Sequence, residues 1–353
     1  MSNKIPVIIL GGSGYVAGEL LRLLSYHKYF FPKLIISSSQ NGKFLSEKFP
    51  YLKKIYPKEK FISIEAGIEG LQGHDHWMVI SAANHGSSAK TINKIISESK
   101  KLNLKTNIID IAADFRFDNK NDFEKTYGQD HTAPELIKSF ICGIPEQIKE
   151  NNYNNISHPG CFSTSMLLSI VPLVENNISE FDFFTSAVTG STGSGSLPKI
   201  NTHHPVRDGN FFSYKPLKHR HSIEVEHIIK KITNKGINLN FVPHSGPFTR
   251  GIYATTFCKL KNDYDEKYIF NLFKNYYKEK PFVDILNAPP KIKDVVGTNE
   301  AQLSISLNNN NLVICCVIDN LVKGAAGGAI QFANKLLGWP ETEGLMIPPI
   351  GWA

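Results

Sequence analysis

Short apolar runs separated by glycine-rich or polar turns shape the first part of the chain. The run Ile5–Leu10 predicts a buried strand, Gly11–Gly14 a tight turn, and leucines at helical spacing a helix over Glu19–Lys28. Further apolar runs predict strands over Leu34–Ser37, Met78–Ala82 and Asn107–Ile111, with a helix near Ser88–Ser99. Strands that alternate with helices are typical of a parallel sheet, so the pattern predicts a doubly wound α/β domain over roughly the first 155 residues.

A different pattern follows Ser157 and predicts a second, α+β domain. Alternation between polar and apolar residues in two neighbouring segments predicts a hairpin of a half-exposed antiparallel sheet. The elements predicted here are a helix over Cys161–Val174, a strand over Phe183–Thr189, a helix over Glu224–Ile232, the hairpin strands Ala301–Leu307 and Leu312–Asp319, and a closing helix over Lys323–Leu337.

Composition and charge narrow the class of protein. Of the 353 residues, 41% are hydrophobic and 20% charged, which is a normal globular balance. No apolar run approaches the ~18 residues of a membrane span. The net charge of +7 is scattered, whereas nucleic-acid-binding proteins cluster their basic residues, and the five cysteines contain no C-x-x-C pair that would indicate zinc or a disulfide framework. We therefore expect a cytoplasmic protein with neither a membrane anchor nor a nucleic-acid partner.

The glycine turn after the first strand has the form of a phosphate-binding site. Glycines there allow a tight turn and the close approach of a ligand, and the helix that follows offers free N–H groups. The cofactor-binding residues predicted from this turn are Gly11, Ser13, Gly14, Tyr15 and Val16. An ordinary glycine-rich turn between a strand and a helix is the alternative interpretation.

The residues after the second predicted strand bear on which dinucleotide binds. NAD enzymes usually place an Asp or Glu here for the ribose 2′-hydroxyl, but Ser37–Lys43 contains no carboxylate. Hydroxyl groups with a nearby lysine suit a 2′-phosphate, so we expect Ser38, Ser39 and Gln40 to bind NADP. A polar surface loop would have the same composition.

The segment His158–Thr164 contains the strongest candidate for a nucleophile. Its Pro-Gly turn directs Cys161 to the start of a helix, where the helix dipole favours a thiolate. The other cysteines lie in apolar, strand-like runs and are predicted to be small buried hydrophobic residues: Cys142, Cys258, Cys315 and Cys316.

A thiolate nucleophile needs a proton partner, which near neutral pH is usually a histidine. His219 and His221 stand ahead of a predicted helix whose N-cap we expect to be Ser222. We assign the acid–base role to His221 and expect His219, with Arg220, to bind the substrate anion. A solvated basic turn is the alternative.

Three loops rich in small residues and cations add to the predicted site: Gly190–Gly195, His203–Arg207 and Thr249–Gly251. Backbone N–H groups and an arginine fork suit a phosphate or carboxylate. No carboxylate or cysteine has a spacing that matches His203 and His204, so we reject them as metal ligands and expect no metal site.

Several segments together resemble the N-acetyl-gamma-glutamyl-phosphate reductases of arginine biosynthesis and the related aminoadipyl-phosphate reductases of lysine biosynthesis. The resemblance covers nearly the whole chain. The matching segments are Gly11–Leu20, Ile109–Arg116, Cys142–Glu146, His158–Cys161, His219–His221, Val242–Gly251 and, nearly letter for letter, Asp319–Gly327.

The resemblance implies an NADPH-dependent reduction of N-acetyl-L-glutamyl 5-phosphate to N-acetyl-L-glutamate 5-semialdehyde, with phosphate release through a thioester on Cys161. It implies a small acyl-phosphate substrate and a homo-oligomer, either a dimer or a tetramer. Residues implied to contact the substrate are Arg116, His158, Ser163, His219 and Arg250, and those implied to contact the cofactor are Gly190, Ser191 and Asn320.

The same resemblance implies a division of the chain. Residues 1–157 are expected to form a Rossmann-type NADP domain, and residues 158–322 an α+β catalytic and dimerisation domain with a mixed or antiparallel sheet. Residues 323–353 are expected to form a C-terminal helix and tail that return to the NADP domain.

Three alternatives stay open at this point. An aminoadipyl substrate carried on an acidic carrier protein would use the positive charge, and the loop from His203 to Pro205 resembles that branch. Aspartate-semialdehyde dehydrogenase shares the two-domain plan. A non-enzymatic NADP-sensing regulator would keep the glycine turn without needing Cys161.

Overall fold

Two β-sheets organise the protein, whose computed structural model describes residues 4–149 and 153–351. The strands are β1 (Ile5–Leu10), β2 (Phe30–Ile36), β3 (His76–Ser81), β4 (Lys105–Asp110), β5 (Phe140–Cys142), β6 (Asn155–Ser157), β7 (Asp182–Thr189), β8 (Phe212–Ser213), β9 (Asn238–Ser245), β10 (Ile252–Lys259), β11 (Val283–Leu286), β12 (Ala301–Asn308) and β13 (Asn311–Ile318). The α-helices are α1 (Tyr15–Leu24), α2 (Leu45–Lys48), α3 (Ile64–Glu69), α4 (Ser88–Lys101), α5 (Lys120–Tyr127), α6 (Cys161–Glu175), α7 (His204–Arg207), α8 (Arg220–Thr233), α9 (Glu266–Tyr276) and α10 (Gly327–Leu336).

The first sheet is parallel throughout the described residues and has the strand order β2-β1-β3-β4-β6-β5. Its central strands read as unbroken apolar runs because helices cover both faces of such a sheet. The chain leaves β1 towards β2 on one side and reaches β3 on the other. The carboxyl ends of β1 and β3 therefore border the crevice where ligands of doubly wound sheets bind.

The core of this sheet forms from buried aliphatic and aromatic residues. Ile8, Val79 and Ile108 stand on three neighbouring strands and are at most 1% exposed. The indole of Trp77 is fully buried and donates to the carbonyl of Leu71 at 3.0 Å. The C-terminal helix α10 packs against α1 and β4, as the sequence predicted.

The second sheet is mixed and has the order β11-β12-β13-β10-β7-β9-β8. The predicted hairpin is present, with β12 and β13 antiparallel from the pair Ala301–Ile318 to the pair Asn308–Asn311. Helices α6, α8 and α9 pack against one face. Every residue of α6 from Phe162 to Val174 is buried, which explains why this stretch contains no charged side chain.

These sheets belong to two compact units with several chain crossings. The first unit contains the chain up to Pro145, a segment ending at His158, and Ala326–Leu345. The second contains Glu146–Lys149, Pro159–Ala325 and the segment that starts at Met346. The segmentation predicted from the sequence drew its boundaries after residues 157 and 322 and did not include the short excursion at 146–149.

Three helix boundaries differ from the sequence predictions, and each has a local cause. Helix α1 begins at Tyr15 rather than Glu19 because Gly14, with extended backbone, is its N-cap. Helix α8 begins at Arg220, and its N-cap is His219, so the prediction of Ser222 as the cap was wrong. The closing helix is not uniform, because Val322–Ala326 forms a π-helical turn before α10.

Candidate active site

In the first unit, the glycine turn lies between the ends of β1 and β3. Gly11 has a φ of +69°, and a Cβ there would stand 2.5 Å from the carbonyl oxygen of Ala82. A Cβ on Gly12 would meet the side chain of Ile35 at 2.5 Å. Gly14 has no side chain to cap α1, whose first N–H groups stay available to an anion. The turn therefore has the form that a dinucleotide pyrophosphate needs.

A chain of hydroxyl groups joins this turn to the end of β2. The Ser37 hydroxyl donates to the Ser13 hydroxyl at 2.9 Å and lies 3.4 Å from that of Ser39. Ser38 and Ser39 are exposed, and the short turn Ser38–Gln40 follows β2 directly. These hydroxyls can donate hydrogen bonds to a phosphate, and no carboxylate in this stretch would repel one.

Two predicted substrate contacts, Arg116 and His158, also lie in the first unit. The guanidinium of Arg116 is buried and donates to the carbonyl oxygens of His158 at 3.1 Å and Ile111 at 2.7 Å. The His158 imidazole is 1% exposed and packs edge-on to Phe332. Both side chains thus stabilise the end of the parallel sheet, and their substrate contacts stay a prediction.

In the second unit, Cys161 is the first residue of α6 and is half-buried. It follows the N-cap Gly160, whose backbone N–H donates to Oε1 of Glu224 at 2.7 Å. Glu224 is fully buried on α8. This bond fixes the backbone immediately before the thiol to a different helix.

His221 covers the other side of the same turn. A Cβ on Gly160 would overlap the His221 imidazole, so only glycine allows the ring to lie this close to the backbone before Cys161. His221 is 7% exposed and stands one helical turn before Glu224 on α8. The structure therefore brings the predicted nucleophile and the predicted proton carrier to one turn of chain.

His219 lies beside His221 in an aromatic cage. Its ring is 4.6 Å from that of His221, 5.6 Å from Tyr214 and 5.5 Å from Phe241. Burial, with help from the neighbouring Arg220, lowers the pKa of His219 to about 4. Its Nδ1 accepts the backbone N–H of His221 at 3.3 Å, so the neutral ring carries its proton on Nε2. At neutral pH His219 can donate a hydrogen bond but carries no charge.

The segment after β13 closes over Cys161 from a third direction. A Cβ on Gly324 would stand 2.7 Å from Cβ of Cys161 and 3.0 Å from its Cα. The carboxylate of Asp319 accepts the N–H groups of Leu321 and Val322 at 2.7 Å and 3.0 Å, which fixes the start of this segment. The thiol thus lies among three segments that are distant in sequence.

The side chains of two other predicted residues of this unit, Arg250 and Asn320, make structural bonds, whereas that of Ser163 makes none in the part of the chain that the structure describes. Arg250 pairs with the carboxylate of Asp319, with distances of 3.0 Å from Nε and 2.9 Å from the terminal nitrogen. Asn320 accepts from the N–H of Gly251 at 2.8 Å and donates to the Thr192 hydroxyl at 3.0 Å, which joins it to the loop that starts at Gly190 and Ser191. Ser163 is fully buried in α6, and its hydroxyl has no hydrogen-bond partner within the described residues.

Sequence reasoning missed two residues that shape the site, Glu224 and Gly324. The predicted helix over Glu224–Ile232 contained the glutamate, but no local pattern marks it as the partner of Gly160. The predicted closing helix over Lys323–Leu337 contained Gly324, but no local pattern marks it as a neighbour of Cys161. The spacing of three from His221 to Glu224, which places both on one face of a helix, is the signal that could have paired them.

Three of the other four cysteines agree with their prediction as small buried residues. Cys142, Cys258 and Cys316 are buried, whereas Cys315 is half-buried. Burial raises the pKa of the Cys258 thiol to about 12, which leaves it protonated at neutral pH. Within residues 4–149 and 153–351, no group of three His, Cys, Asp or Glu side chains is arranged to hold a metal ion. Over the same residues, no helix is both long and apolar enough to cross a membrane.

Comparison with known proteins finds that two segments of the chain match semialdehyde dehydrogenase domains. Residues 6–155 match the family described as "Semialdehyde dehydrogenase, NAD binding domain", and residues 161–320 match "Semialdehyde dehydrogenase, dimerisation domain". In solved structures, the fold is similar to aspartate semialdehyde dehydrogenase II of Vibrio cholerae (TM-score 0.69, 16% identity, 96% of this chain and 99% of that chain). It is also similar to the Candida albicans enzyme solved with NADP (TM-score 0.66, 15% identity, 95% and 99%).

Curated relatives are much more similar in sequence. The N-acetyl-gamma-glutamyl-phosphate reductase of Methanosphaera stadtmanae is 36% identical over 350 residues, which cover 97% of this chain and 98% of that protein. The protein of the same name from Brachyspira hyodysenteriae is 37% identical over 361 aligned residues, with 98% and 99% covered. With whole-length similarity at this level, a nucleotide-type glycine turn in one unit and a helix-start cysteine in the other, the chain belongs to the N-acetyl-gamma-glutamyl-phosphate reductase family.

Proposed function

We propose that this protein reduces N-acetyl-L-glutamyl 5-phosphate to N-acetyl-L-glutamate 5-semialdehyde with NADPH and releases phosphate. The observation that carries the proposal is the position of Cys161. It begins α6, next to a glycine that allows the His221 imidazole against its backbone. A cysteine at a helix start with a histidine beside it is the arrangement that activates a thiol for acyl transfer.

The first half of the reaction is an acyl transfer to sulfur. His221 accepts the thiol proton, and the Cys161 thiolate attacks the carbonyl carbon of the acyl phosphate. The bond from that carbon to the phosphate oxygen breaks, and phosphate leaves with the electron pair. A thioester on Cys161 remains. Glu224 holds the backbone N–H of Gly160, so the sulfur starts from a fixed position.

The second half reduces the thioester to an aldehyde. The dinucleotide, when bound, supplies the hydride for this step. In this proposal His221, now protonated, donates its proton to the oxygen of the thiohemiacetal and takes it back as the aldehyde forms. Cys161 leaves as the thiolate and takes its proton back from His221, which returns the protein to its starting state.

The residues that would hold the dinucleotide are those of the glycine turn and the hydroxyl chain. Gly11 and Gly14 leave room for the pyrophosphate, and Ser13 and Ser39 offer hydroxyl donors. The absence of Asp or Glu from 37–43 favours the 2′-phosphate of NADP over the free hydroxyl of NAD.

The division of labour between the two histidines follows from their surroundings. His219 has a pKa of about 4, so it is a poor proton acceptor from a thiol near neutral pH. Its Nε2–H can still donate to an oxygen of the substrate. We therefore give the proton-transfer role to His221 and a substrate-binding role to His219.

We also propose a homo-oligomer that forms through the open face of the second sheet. Phe184 and Phe257 face each other on neighbouring strands and are 52% and 45% exposed. The family that matches residues 161–320 is described as a dimerisation domain, which favours a second copy as the partner. The double variant Phe184→Glu/Phe257→Glu should have the molar mass of a monomer by light scattering. A molar mass equal to that of the wild-type oligomer would show that the protein does not associate through this face.

One assay tests the reaction and the length of the substrate together. In the reverse direction, N-acetylglutamate semialdehyde with NADP and phosphate should give NADPH, and phosphate should be required. The analogue one carbon longer should react at least about tenfold more slowly in kcat/KM, since a pocket discriminates one methylene by 10–200-fold. Faster turnover of the longer analogue would favour an aminoadipyl substrate, and no turnover of either would remove the proposal.

A further inference from the structure

A buried ion pair in the second unit is not used by the reaction described above. Lys323 Nζ lies 2.5 Å from Oε1 of Glu146, and the two side chains are 1% and 0% exposed. The ammonium is also 5.5 Å from the centre of the buried Phe282 ring. The pair joins the short segment Glu146–Lys149 to the π-helical turn Val322–Ala326.

Stability alone does not explain such a pair. Removing two charges from water costs a large part of what their attraction returns, and apolar side chains of similar volume often stabilise a fold as well or better. What an ion pair adds is geometry, because it is satisfied in one arrangement, whereas apolar contacts tolerate many. We therefore expect the pair to fix the position of a chain segment that has to be placed precisely.

The π-helical turn that carries Lys323 is next to the nucleophile. Gly324, the following residue, packs so tightly on Cys161 that an added Cβ would lie 2.7 Å from the cysteine Cβ. The N–H of Gly324 donates to the carbonyl of Asp319 at 3.0 Å, so the turn is also held at its start. Turns of this type inside helices occur frequently at functional sites.

We propose that the Glu146–Lys323 pair positions Cys161 by fixing the π-helical turn. The ion pair with Glu146 fixes the position of Lys323. Gly324 is the next residue in the chain, so its position is fixed as well. Gly324 in turn limits where the Cys161 side chain can lie. Glu146 and Lys323 act through this turn and are positioning residues. The kinetic part of the test rests on the proposed function, and the chemical part does not.

The main test replaces the charges with apolar side chains of similar size in the double variant E146L/K323M. We expect its melting temperature to stay at or above that of the parent. We expect kcat to fall by at least about tenfold and KM to change less than about threefold, because misplacing a reacting group costs rate more than binding. A pair that served only stability would leave kcat unchanged.

Lys235 offers a matched control at the other end of α6. Its Nζ donates to the carbonyls of Val174 and Glu175 at 2.8 Å and 3.3 Å, far along the helix from Cys161. Like the double variant, K235M removes the charge of a lysine that is at least partly buried, and it also removes hydrogen bonds to backbone carbonyls. We expect K235M to lower the melting temperature and to leave kcat unchanged.

Alkylation of Cys161 by iodoacetamide tests the positioning without any reductase assay. The rate at pH 7, followed by mass spectrometry of the Cys161 peptide, should be about tenfold lower in E146L/K323M and unchanged in K235M, because the helix start favours the thiolate only when the sulfur is held there. A wild-type protein without reductase activity would defeat the proposed function and leave this comparison intact. Wild-type kcat and alkylation rate in the folded double variant would overturn the positioning role.

A second variant covers the case in which the double variant does not fold. E146Q keeps the size of the side chain and an acceptor oxygen and removes only the charge. Several-fold slower alkylation of Cys161 in folded E146Q would support the positioning role. Alkylation at the wild-type rate would exclude it.

Discussion

Two helix starts in this protein have the same local form and different surroundings. Helices α1 and α6 each follow a glycine N-cap with extended backbone, at Gly14 (φ −79°, ψ 168°) and Gly160 (φ −63°, ψ 158°). A Cβ on Gly14 would meet only the carbonyl oxygen of Gly11, at 3.6 Å, whereas one on Gly160 would overlap the ring of His221. Among the described residues, no side chain packs on the N-cap of the first start, whereas the N-cap of the second is covered by a side chain from another helix. The predicted cofactor turn can therefore be recognised from its own sequence, but the surroundings of the predicted nucleophile come from the fold.

The largest effect is expected when the predicted nucleophile at the start of α6 is replaced. Cys161→Ser should lower kcat by at least about 1000-fold, because a hydroxyl does not ionise near pH 7 without a dedicated base. Cys258→Ser is the matched control, since that thiol is buried and protonated. Steady-state kinetics would contradict the assignment if the two variants lost activity equally.

Removing the proton carrier should come next. His221→Asn keeps a similar shape and should lower kcat by about 100- to 10,000-fold, the usual range for a general acid–base. His219→Asn should act mainly on KM, because a neutral, buried ring only donates a hydrogen bond. The pH profile of kcat/KM for each variant decides. If the His221→Asn variant kept the wild-type kcat and only its KM rose, we would assign the proton-transfer role to His219 instead.

Adding one methyl group to each helix start compares them directly. Gly160→Ala should displace the His221 imidazole and lower kcat by about 100-fold. Gly14→Ala has ordinary contact distance available and a φ that alanine adopts, so it should change kcat less than threefold. It should raise the KM for NADPH, because the added methyl group takes room that the pyrophosphate would use. Measuring kcat, and KM for NADPH, in both variants checks this. A larger loss of kcat in Gly14→Ala would reverse the comparison.

The buried histidine near the start of α6, His219, should make the stability of the protein sensitive to acid. His219 stays neutral in the folded state down to a pH of about 4, whereas in the unfolded chain it takes up a proton below about 6.5. The free energy of unfolding should therefore fall as the pH falls between these values, by about 2 kcal/mol at pH 5 from this group. Urea unfolding at pH 7 and pH 5 should show a smaller loss in His219→Asn than in the wild type. Equal losses would mean that His219 is hydrated in the folded protein.

The smallest effect is expected for the proposed cofactor site near the start of α1. Ser39→Asp should lower kcat/KM for NADPH by about tenfold, because the new carboxylate repels the 2′-phosphate, and should spare NADH. Ser39→Asn, which has the shape of the aspartate variant and adds no charge, is the control. Equal kcat/KM for both cofactors in the wild type would contradict the NADPH preference.

The sequence was a good guide wherever the site is contiguous. The strand Ile5–Leu10, the glycine turn and the helix Cys161–Glu175 lie where their patterns predicted, because apolar runs and glycines act within a few residues. Boundaries set by a residue that is not a usual helix cap were missed. The N-cap of α8 is an example, since an imidazole takes the role expected of a serine hydroxyl.

What the sequence determined by itself is the class of fold, the family and the candidate for the nucleophile, since each depends on short patterns with a direct physical meaning. What only the tertiary structure decided is the surroundings of that candidate, Cys161. Glu224 holds Gly160, the rings around His219 lower its pKa, and Gly324 lies on Cys161. These relations join residues far apart in the chain, and burial and packing, which create them, exist only once the segments have come together.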